Sequence, residues 1–524
     1  MLLALAAAGC ASVEPIRRIS QSTKPPSVGP DSPPTTADLI TPASQDVVTG
    51  TNSSEPGHRE VVTAAHVSQP DDAAEELPAG RRDDVLQLEQ VVESVQRSFP
   101  LLQAALLTRD TAFGEHLAAH GAFDLKLKAA TENGPLGFYQ TYRQNIGVEQ
   151  PTYWGGALFG GYRVGRGNFQ PWYGERQTND SGEFRAGVAV PLARNVNIDA
   201  RRALLWRTNL DRELAEPEIR LQLIDFVRAA SYSYWDWVAA GRRHQIAAAL
   251  LKIAKDRNEA IRRKVETGDS EPPVLQDNRR LIVSREAKLI EAQRKRQQAA
   301  IKLSLFYRDD QGQPLVAQDG QLADFAAPSA VDEEALAADI QAAIENRPEL
   351  LAMNLLRQQL QIDFAEASND LLPEIQAVVV GSQDVGAPAT KKNDKSPYEL
   401  EAGIFLDVPV QRRKARGKMT AVEGKLGQLA AKRRMTADKI ATDVQAVYAA
   451  LVAAYQQIER AHESAQLADR LAEIERRKFE LGESDLLSVN LREQQAAEAQ
   501  STQVDALYEY FTARADYRAT LARD

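Results

Sequence analysis

The chain has 524 residues, 43% of them hydrophobic but only 6% aromatic, so it can bury a core, spread along thin alanine-rich helix packing rather than concentrated in a thick interior. A formal net charge of −10 argues against a nucleic-acid partner, and the single cysteine, Cys10, excludes an intramolecular disulfide and a cysteine metal cluster. No run of eighteen or more apolar residues occurs after the N-terminus, which excludes a transmembrane helix; a membrane crossing would have to be made by strands.

The N-terminal stretch Leu5-Ala-Ala-Ala-Gly-Cys10-Ala-Ser closes a short apolar run and is followed by polar chain, the form of an export signal with small residues at its cleavage site. It resembles the lipobox of bacterial lipoproteins, in which the cysteine becomes the acylated first residue of the mature chain. Two departures are that Ala7 stands where that motif usually has leucine and that no Lys or Arg precedes the apolar run. The resemblance makes residues 1–9 a signal segment and Cys10 a lipid-attachment site. Ala11, where an aspartate would signal inner-membrane retention, favours the outer membrane. The plain alternative is a disordered apolar terminus with an incidental cysteine. From Ser12 to about Arg82 the chain is rich in Pro, Ser, Thr, Asp and Gly without sustained periodicity, so residues 10–84 are expected to be a disordered tether.

Val85 to Thr108 is a helical pattern interrupted at Phe99-Pro100, where proline costs an internal hydrogen bond. The stretch Leu88-Glu-Gln-Val-Val-Glu-Ser-Val-Gln-Arg-Ser-Phe-Pro100 returns in spacing as Leu336-Ala-Ala-Asp-Ile-Gln-Ala-Ala-Ile-Glu-Asn-Arg-Pro348. Three further parallels follow in the same order. Glu183-Phe-Arg-Ala-Gly-Val-Ala-Val-Pro191 answers Glu399-Leu-Glu-Ala-Gly-Ile-Phe-Leu-Asp-Val-Pro409, and Arg263-Lys-Val-Glu-Thr-Gly-Asp-Ser270 answers Arg477-Lys-Phe-Glu-Leu-Gly-Glu-Ser484. Leu303-Ser-Leu-Phe-Tyr-Arg308 answers Tyr510-Phe-Thr-Ala-Arg-Ala-Asp-Tyr517. The chain therefore reads as two copies of one unit, 85–310 and 330–524, joined by a linker, 311–329. Each unit is helix, strand, strand, long helix, turn, helix.

The long helices are most legible at the C-terminus. From Gln411 onward there is no proline, and after Gly427 the only glycine is Gly482, in sequence rich in Ala, Glu, Gln, Arg and Leu. Two helices are expected, turning at Gly482. Ile440, Val444, Val447, Leu451, Tyr455, Ile458, Leu467, Leu471 and Ile474 recur in steps of three and four and are expected to form one stripe buried against a partner helix. In the first copy, Pro217 should kink or break the long helix, and Pro272-Pro273 should stiffen the turn and delay the returning helix. Trp235 and Trp237 are expected to pack between helices.

Four strands are expected: Phe123–Ala129, Phe184–Val190, Ile375–Gly381 and Tyr398–Val408. In the first and last, apolar residues alternate with Asp124, Lys126 and Lys128, or with Glu399, Glu401 and Asp407. Such alternation fits a barrel strand with lipid outside and water inside, and equally a sheet resting on helices. Set beside helices of the order of 100 Å, the barrel reading is favoured. Four strands cannot close a barrel, and an open edge in lipid leaves backbone groups unpaired at several kcal/mol each. Other subunits must complete it; about eight strands are filled by their own side chains, so twelve from three chains is the smallest count that comfortably leaves a lumen. Near Gly147 to Asp180 the first copy carries an insertion rich in Gly and aromatic residues. It fits either strand extension with an interfacial aromatic belt and an external loop, or a loop folded over the pore mouth.

The doubled unit, its turns at Val265-Glu-Thr-Gly-Asp and Phe479-Glu-Leu-Gly-Glu, and strand pairs ending in Pro191 and Pro409 resemble the TolC-like outer-membrane efflux proteins over residues 85–524. The resemblance implies a mainly α fold with a β-barrel portion: a homotrimer with a twelve-stranded transmembrane barrel and a periplasmic α-helical barrel. It implies the exit duct of a tripartite efflux pump or type I secretion system, partnered by a periplasmic adaptor and an inner-membrane pump. Carried over by position, the adaptor-binding tip is Gly268, Asp269, Ser270, Gly482, Glu483, Ser484 and Leu486. Where family members often carry aperture aspartates, six and nine residues past the tip glycine, this chain has Val274 and Asp277, then Ser488 and Leu491. Asp277 and Ser488 are the aperture candidates.

No phosphate loop, zinc-hydrolase motif or nucleophile elbow occurs, so an enzyme is not expected, nor a cofactor. His116 and His120, four apart, lack the further ligands a metal site needs. The rival reading is a lipid-tethered periplasmic coiled-coil scaffold or adaptor without a pore.

Overall fold

The computed structural model describes residues 85–523, apart from Ser270, Val331, Glu333 and 390–397, and the side chains of residues 173–175 are likewise left aside. In chain order the elements are α1 (Leu88–Ser98), α2 (Pro100–Leu106), α3 (Thr108–His120), β1 (Lys126–Gly134), β2 (Thr141–Pro151), β3 (Ala157–Gly167), β4 (Glu183–Pro191), α4 (Ala200–Glu266) and α5 (Pro272–Leu303). They continue with α6 (Leu336–Asn346), α7 (Pro348–Asn369), β5 (Glu374–Asp384), β6 (Glu399–Asp407), α8 (Arg413–Leu481) and α9 (Leu486–Thr520). Pro100 and Pro348 open α2 and α7 at the same relative place, each after an extended residue, Phe99 at ψ 119° and Arg347 at ψ 126°. A first-turn proline loses no intrahelical hydrogen bond, so each break restarts the helix at a new angle.

Helices α4 and α8 have 67 and 69 residues, about 100 Å each. Asp199 starts α4 by accepting the backbone N–H of Arg202, and the same carboxylate pairs with the buried Arg202 guanidinium at 2.9 Å. Of the kink or break expected at Pro217, the break is absent: α4 runs on through it, packed against α5, α7 and α9 along its length. The expectation about the proline pair fails in its detail. Pro272 and Pro273 do not delay α5 but begin it, because the first helical positions need no N–H donor.

The main core lies midway along the helices. Trp235 of α4 stacks on Phe511 of α9, centroids 4.0 Å apart, and on Phe325 at 5.6 Å, with Tyr234 edge-on at 4.8 Å. Trp235 and Trp237 are both buried, as expected. On α8 the expected stripe divides. Ile440, Val444, Leu451 and Ile458 are buried, but below them the buried positions pass to Ala465 and Ala472, while Leu467, Leu471 and Ile474 face outward. Alanine brings α8 and α9 close together there, and the larger side chains are left on the outer surface of the chain.

Among the described residues six strands form one antiparallel sheet in sequential order, β1 to β6. The expectation of four strands, two per copy, is corrected here: the first copy supplies four. The added pair, β2 and β3, runs through Gly147, Gly160, Gly161, Gly165 and Gly167, and so much glycine depresses strand propensity enough to leave strand and loop unseparated in the sequence. The first strand is also displaced. Phe123 sits in a short 3-10 turn, buried against Tyr153, and β1 starts only at Lys126.

Candidate functional site

Two regions answer to the function expected from sequence, the turns at the far end of the long helices and the two faces of the sheet. The turns are built alike. At the first, Gly268 has φ +84°, its N–H donates to the Val265 carbonyl, and the Asp269 N–H donates to the Lys264 carbonyl at 2.8 Å. At the second, Gly482 has φ +80°, its N–H donates to the Phe479 carbonyl, and the Glu483 N–H donates to the Lys478 carbonyl at 2.8 Å. This is the Schellman closure, which satisfies the last helical carbonyls only if the chain turns left-handed. The two turns also meet: the Lys264 ammonium lies 5.9 Å from the centre of the Phe479 ring.

Around these caps, Asp269 is exposed and its carboxylate accepts the Thr267 hydroxyl at 2.8 Å. Ser484 donates to Glu475 at 2.5 Å, Glu483 is exposed, and Leu486 begins α9 half-buried. Asp485 caps α9 by accepting the Ser488 N–H at 2.6 Å, and this holds its carboxyl below the usual range. Asp277 is exposed on α5. Ser270 and Cys10 lie outside the described residues. No atom lies within 4 Å of a Cβ built on Gly482, so Gly482→Val should cost backbone strain, about 1–2 kcal/mol, and no clash. Amide exchange at Glu483 should then rise about tenfold, and unchanged exchange would show that the cap does not hold the turn.

Above the turns lies a cluster that no sequence signal disclosed. Arg257 of α4 donates to Glu493 at 2.9 Å, Asn490 at 2.7 Å and Asn278 at 3.1 Å. Arg285 of α5 donates to the other Glu493 oxygen at 2.8 Å and to the Leu250 carbonyl at 2.8 Å. Asn278 in turn donates to the Ala254 carbonyl at 3.2 Å. Glu493 is only 1% exposed at its side chain, with Arg257 at 8% and Arg285 at 5%. Burial pulls the Arg257 pKa down from the usual arginine value, against the pull of Glu493. One carboxylate thus joins α4, α5 and α9, about 16 Å above the turns. Charged residues on long helices read in sequence as solvated faces, so nothing in the pattern marked these as interior.

The register separates the two faces of the sheet. On one face stand Leu127 and Ala129 of β1, Ile146 and Val148 of β2, Leu158 and Tyr162 of β3, Phe184 and Val188 of β4, Ala377 and Val379 of β5, and Leu400 and Ile404 of β6. Leu127, Leu400 and Ile404 are 72%, 64% and 73% exposed, so among the described residues this apolar surface has nothing over it. The other face carries cross-strand ion pairs: Arg143 with Glu132 at 2.7 Å, Lys128 with Glu149, Arg163 with Glu183, and Arg185 with Glu401 at 3.5 Å. At the end away from the helices, a loop through Pro171–Arg176 lies over this charged face, its Arg176 carbonyl where a Gly165 Cβ would stand. The insertion thus contains features of both readings, two strands and a loop folded over one face.

Among the described residues no helix is long and apolar enough to cross a membrane, and no cluster of three metal-ligating side chains occurs. His116 and His120 instead touch edge to face, at 4.8 Å, bonded to Thr208 and Tyr153 respectively.

A doubled long-helix hairpin carrying an amphipathic antiparallel sheet is the architecture of solved outer-membrane channels. The outer-membrane channel OprN is 13% identical with a TM-score of 0.58, the match covering 90% of this chain and 98% of that one. VceC from Vibrio cholerae is 14% identical with a TM-score of 0.58, over 83% of this chain and 96% of that one. The MtrE channel of Neisseria gonorrhoeae, in its open state, is 13% identical with a TM-score of 0.57, over 88% and 98%. No curated protein sequence matches. Residues 340–523 match the family model described as outer membrane efflux protein. The family match lies in the second copy of the unit, and the likeness to the solved channels extends the same fold over most of the chain.

Proposed function

We propose that three copies of this chain form an exit duct that crosses the outer membrane through the sheet and the periplasm through the helices. It passively conducts substrates handed over by a periplasmic adaptor and an inner-membrane pump. The observation that carries this reading is the sheet with an exposed apolar face and an ion-paired opposite face. Water would oppose so large an apolar surface, and lipid favours it. The unpaired edges of β1 and β6 need partners in a bilayer, and further copies of the same sheet supply them. Outward-facing Val283, Ile290 and Ile301 on α5 and Leu467, Leu471 and Ile474 on α8 support the same assembly along the helices. Gly268, Asp269, Gly482, Glu483, Ser484 and Leu486, with Ser270, are assigned to the adaptor contact, and Asp277 and Ser488 to the aperture. Cys10 is assigned to lipid attachment.

Purified protein reconstituted in liposomes should conduct ions and have the mass of three chains in mild detergent. A Cys10→Ser chain should stay integral to the membrane. A tethered scaffold would instead become soluble and show no conductance, and that result would sink the duct.

A further inference from the structure

We infer that the membrane pore of this protein is an eighteen-stranded barrel, six strands from each of three copies, and not one built on four strands per copy. The inference rests on the trimeric duct and concerns the hairpin of β2 and β3, which lies between the strand leaving α3 and the strand leading to α4.

Five observations make this hairpin part of the barrel wall. Its pairing is uninterrupted on both sides: Lys126 to Gly134 of β1 face Glu149 to Thr141 of β2, and Ala157 to Arg163 of β3 face Ala189 to Glu183 of β4. Each added strand has 11 residues, enough to cross a bilayer. The lipid-type face continues through Tyr142, Ile146 and Val148 into Leu158, Tyr162 and Val164, and the charged face through Glu149, Arg143 and Arg163 with their partners on β1 and β4.

Curvature has the right sense as well. Gly147 and Gly161 stand opposite each other on the charged face, and a Cβ on either would lie 2.7 or 2.6 Å from a carbonyl oxygen of the facing strand. Only glycine permits such an approach, so the sheet closes most tightly on its charged side, as a wall around water must. The turn of the hairpin is also pinned at the helix end. Tyr153 stacks on Phe123 at 4.2 Å and bonds His120 at 3.2 Å, and Arg201 donates to the Gly155 carbonyl at 3.2 Å. Both added strands therefore start at the level of their neighbours, with β3 running on from Val164 to Gly167 past the outer end of its pairing with β4.

Barrel diameter grows roughly in proportion to strand number, so eighteen strands enclose a lumen about one and a half times as wide as twelve. The helical part gains nothing from the hairpin. The mouth is therefore wider than the tunnel beneath it, and the loop through Pro171–Arg176 lies across part of that mouth.

Nitroxide labels on Ile146→Cys and Val164→Cys, with Ile404→Cys on β6 as reference, test this in liposomes; label on Cys10 is measured with the unsubstituted chain. All three should be more accessible to dissolved oxygen than to a water-soluble nickel chelate, and electron cryo-microscopy of the unsubstituted trimer should count eighteen strands. Labels at 146 and 164 in water with 404 in lipid, or a count of twelve, would overturn the wide barrel and leave the duct standing. All three labels in water would overturn both.

Discussion

Glu493→Gln should loosen the three-helix junction above the turns by about 3–5 kcal/mol, the usual result of removing one partner from a buried ionic cluster. The arithmetic is unfavourable even in the native chain, with two guanidiniums against one carboxylate. Asn278, Asn490 and the Leu250 carbonyl accept further guanidinium N–H groups and help make the arrangement tolerable. Without the carboxylate both cations remain in the interior, and the simplest relief is separation of α9 from α4 and α5. Hydrogen exchange along residues 486–500 should then accelerate a hundredfold or more. In the proposed duct, conductance in the resting state should rise as the turns part. An unchanged exchange rate would mean that the cluster does not clamp the hairpins together. Paired replacement of Glu493 and Arg285 by leucine should cost less than the single change, since it removes one charge of each sign.

Trp235→Ala should lower stability by a similar amount, about 3–5 kcal/mol, by a different route. Trp235 fills the space between Phe511 and Phe325, and neither neighbour can follow it inward without breaking its own packing. The loss is a cavity at the level where α4, α9 and the segment around Phe325 meet. Thermal unfolding in detergent should show it, while Trp206→Ala, at a position 42% exposed, should move the midpoint far less. Equal shifts in the two variants would argue against a rigid core at this level.

The legible parts of this protein are those in which local chemistry leaves no alternative. Long stretches without proline, broken once by glycine, form helices that turn at that glycine, and the repeated motif around Gly268 and Gly482 yields the same hydrogen bonds twice. Prolines 100 and 348 restart helices because the missing N–H allows little else. At Pro217 the helix continues because tertiary packing exceeds the local cost of the proline. The hairpin of β2 and β3 stayed undecided between strand and loop because glycine signals loop in isolation, although the sheet needs glycine where it curves.

What the sequence alone determined is the doubled unit, the strut-like helices, their glycine turns and the alternation of the outer strands, because each depends on residues near one another along the chain. What only the tertiary structure decided depends on distant residues: that Arg257, Arg285 and Glu493 share an interior, that Leu467, Leu471 and Ile474 face outward while Ala465 and Ala472 pack, and that six strands join in one sheet. Burial of a charge or exposure of a leucine is a property of what lies across from it. That partner is tens or hundreds of residues away, beyond the reach of any periodicity.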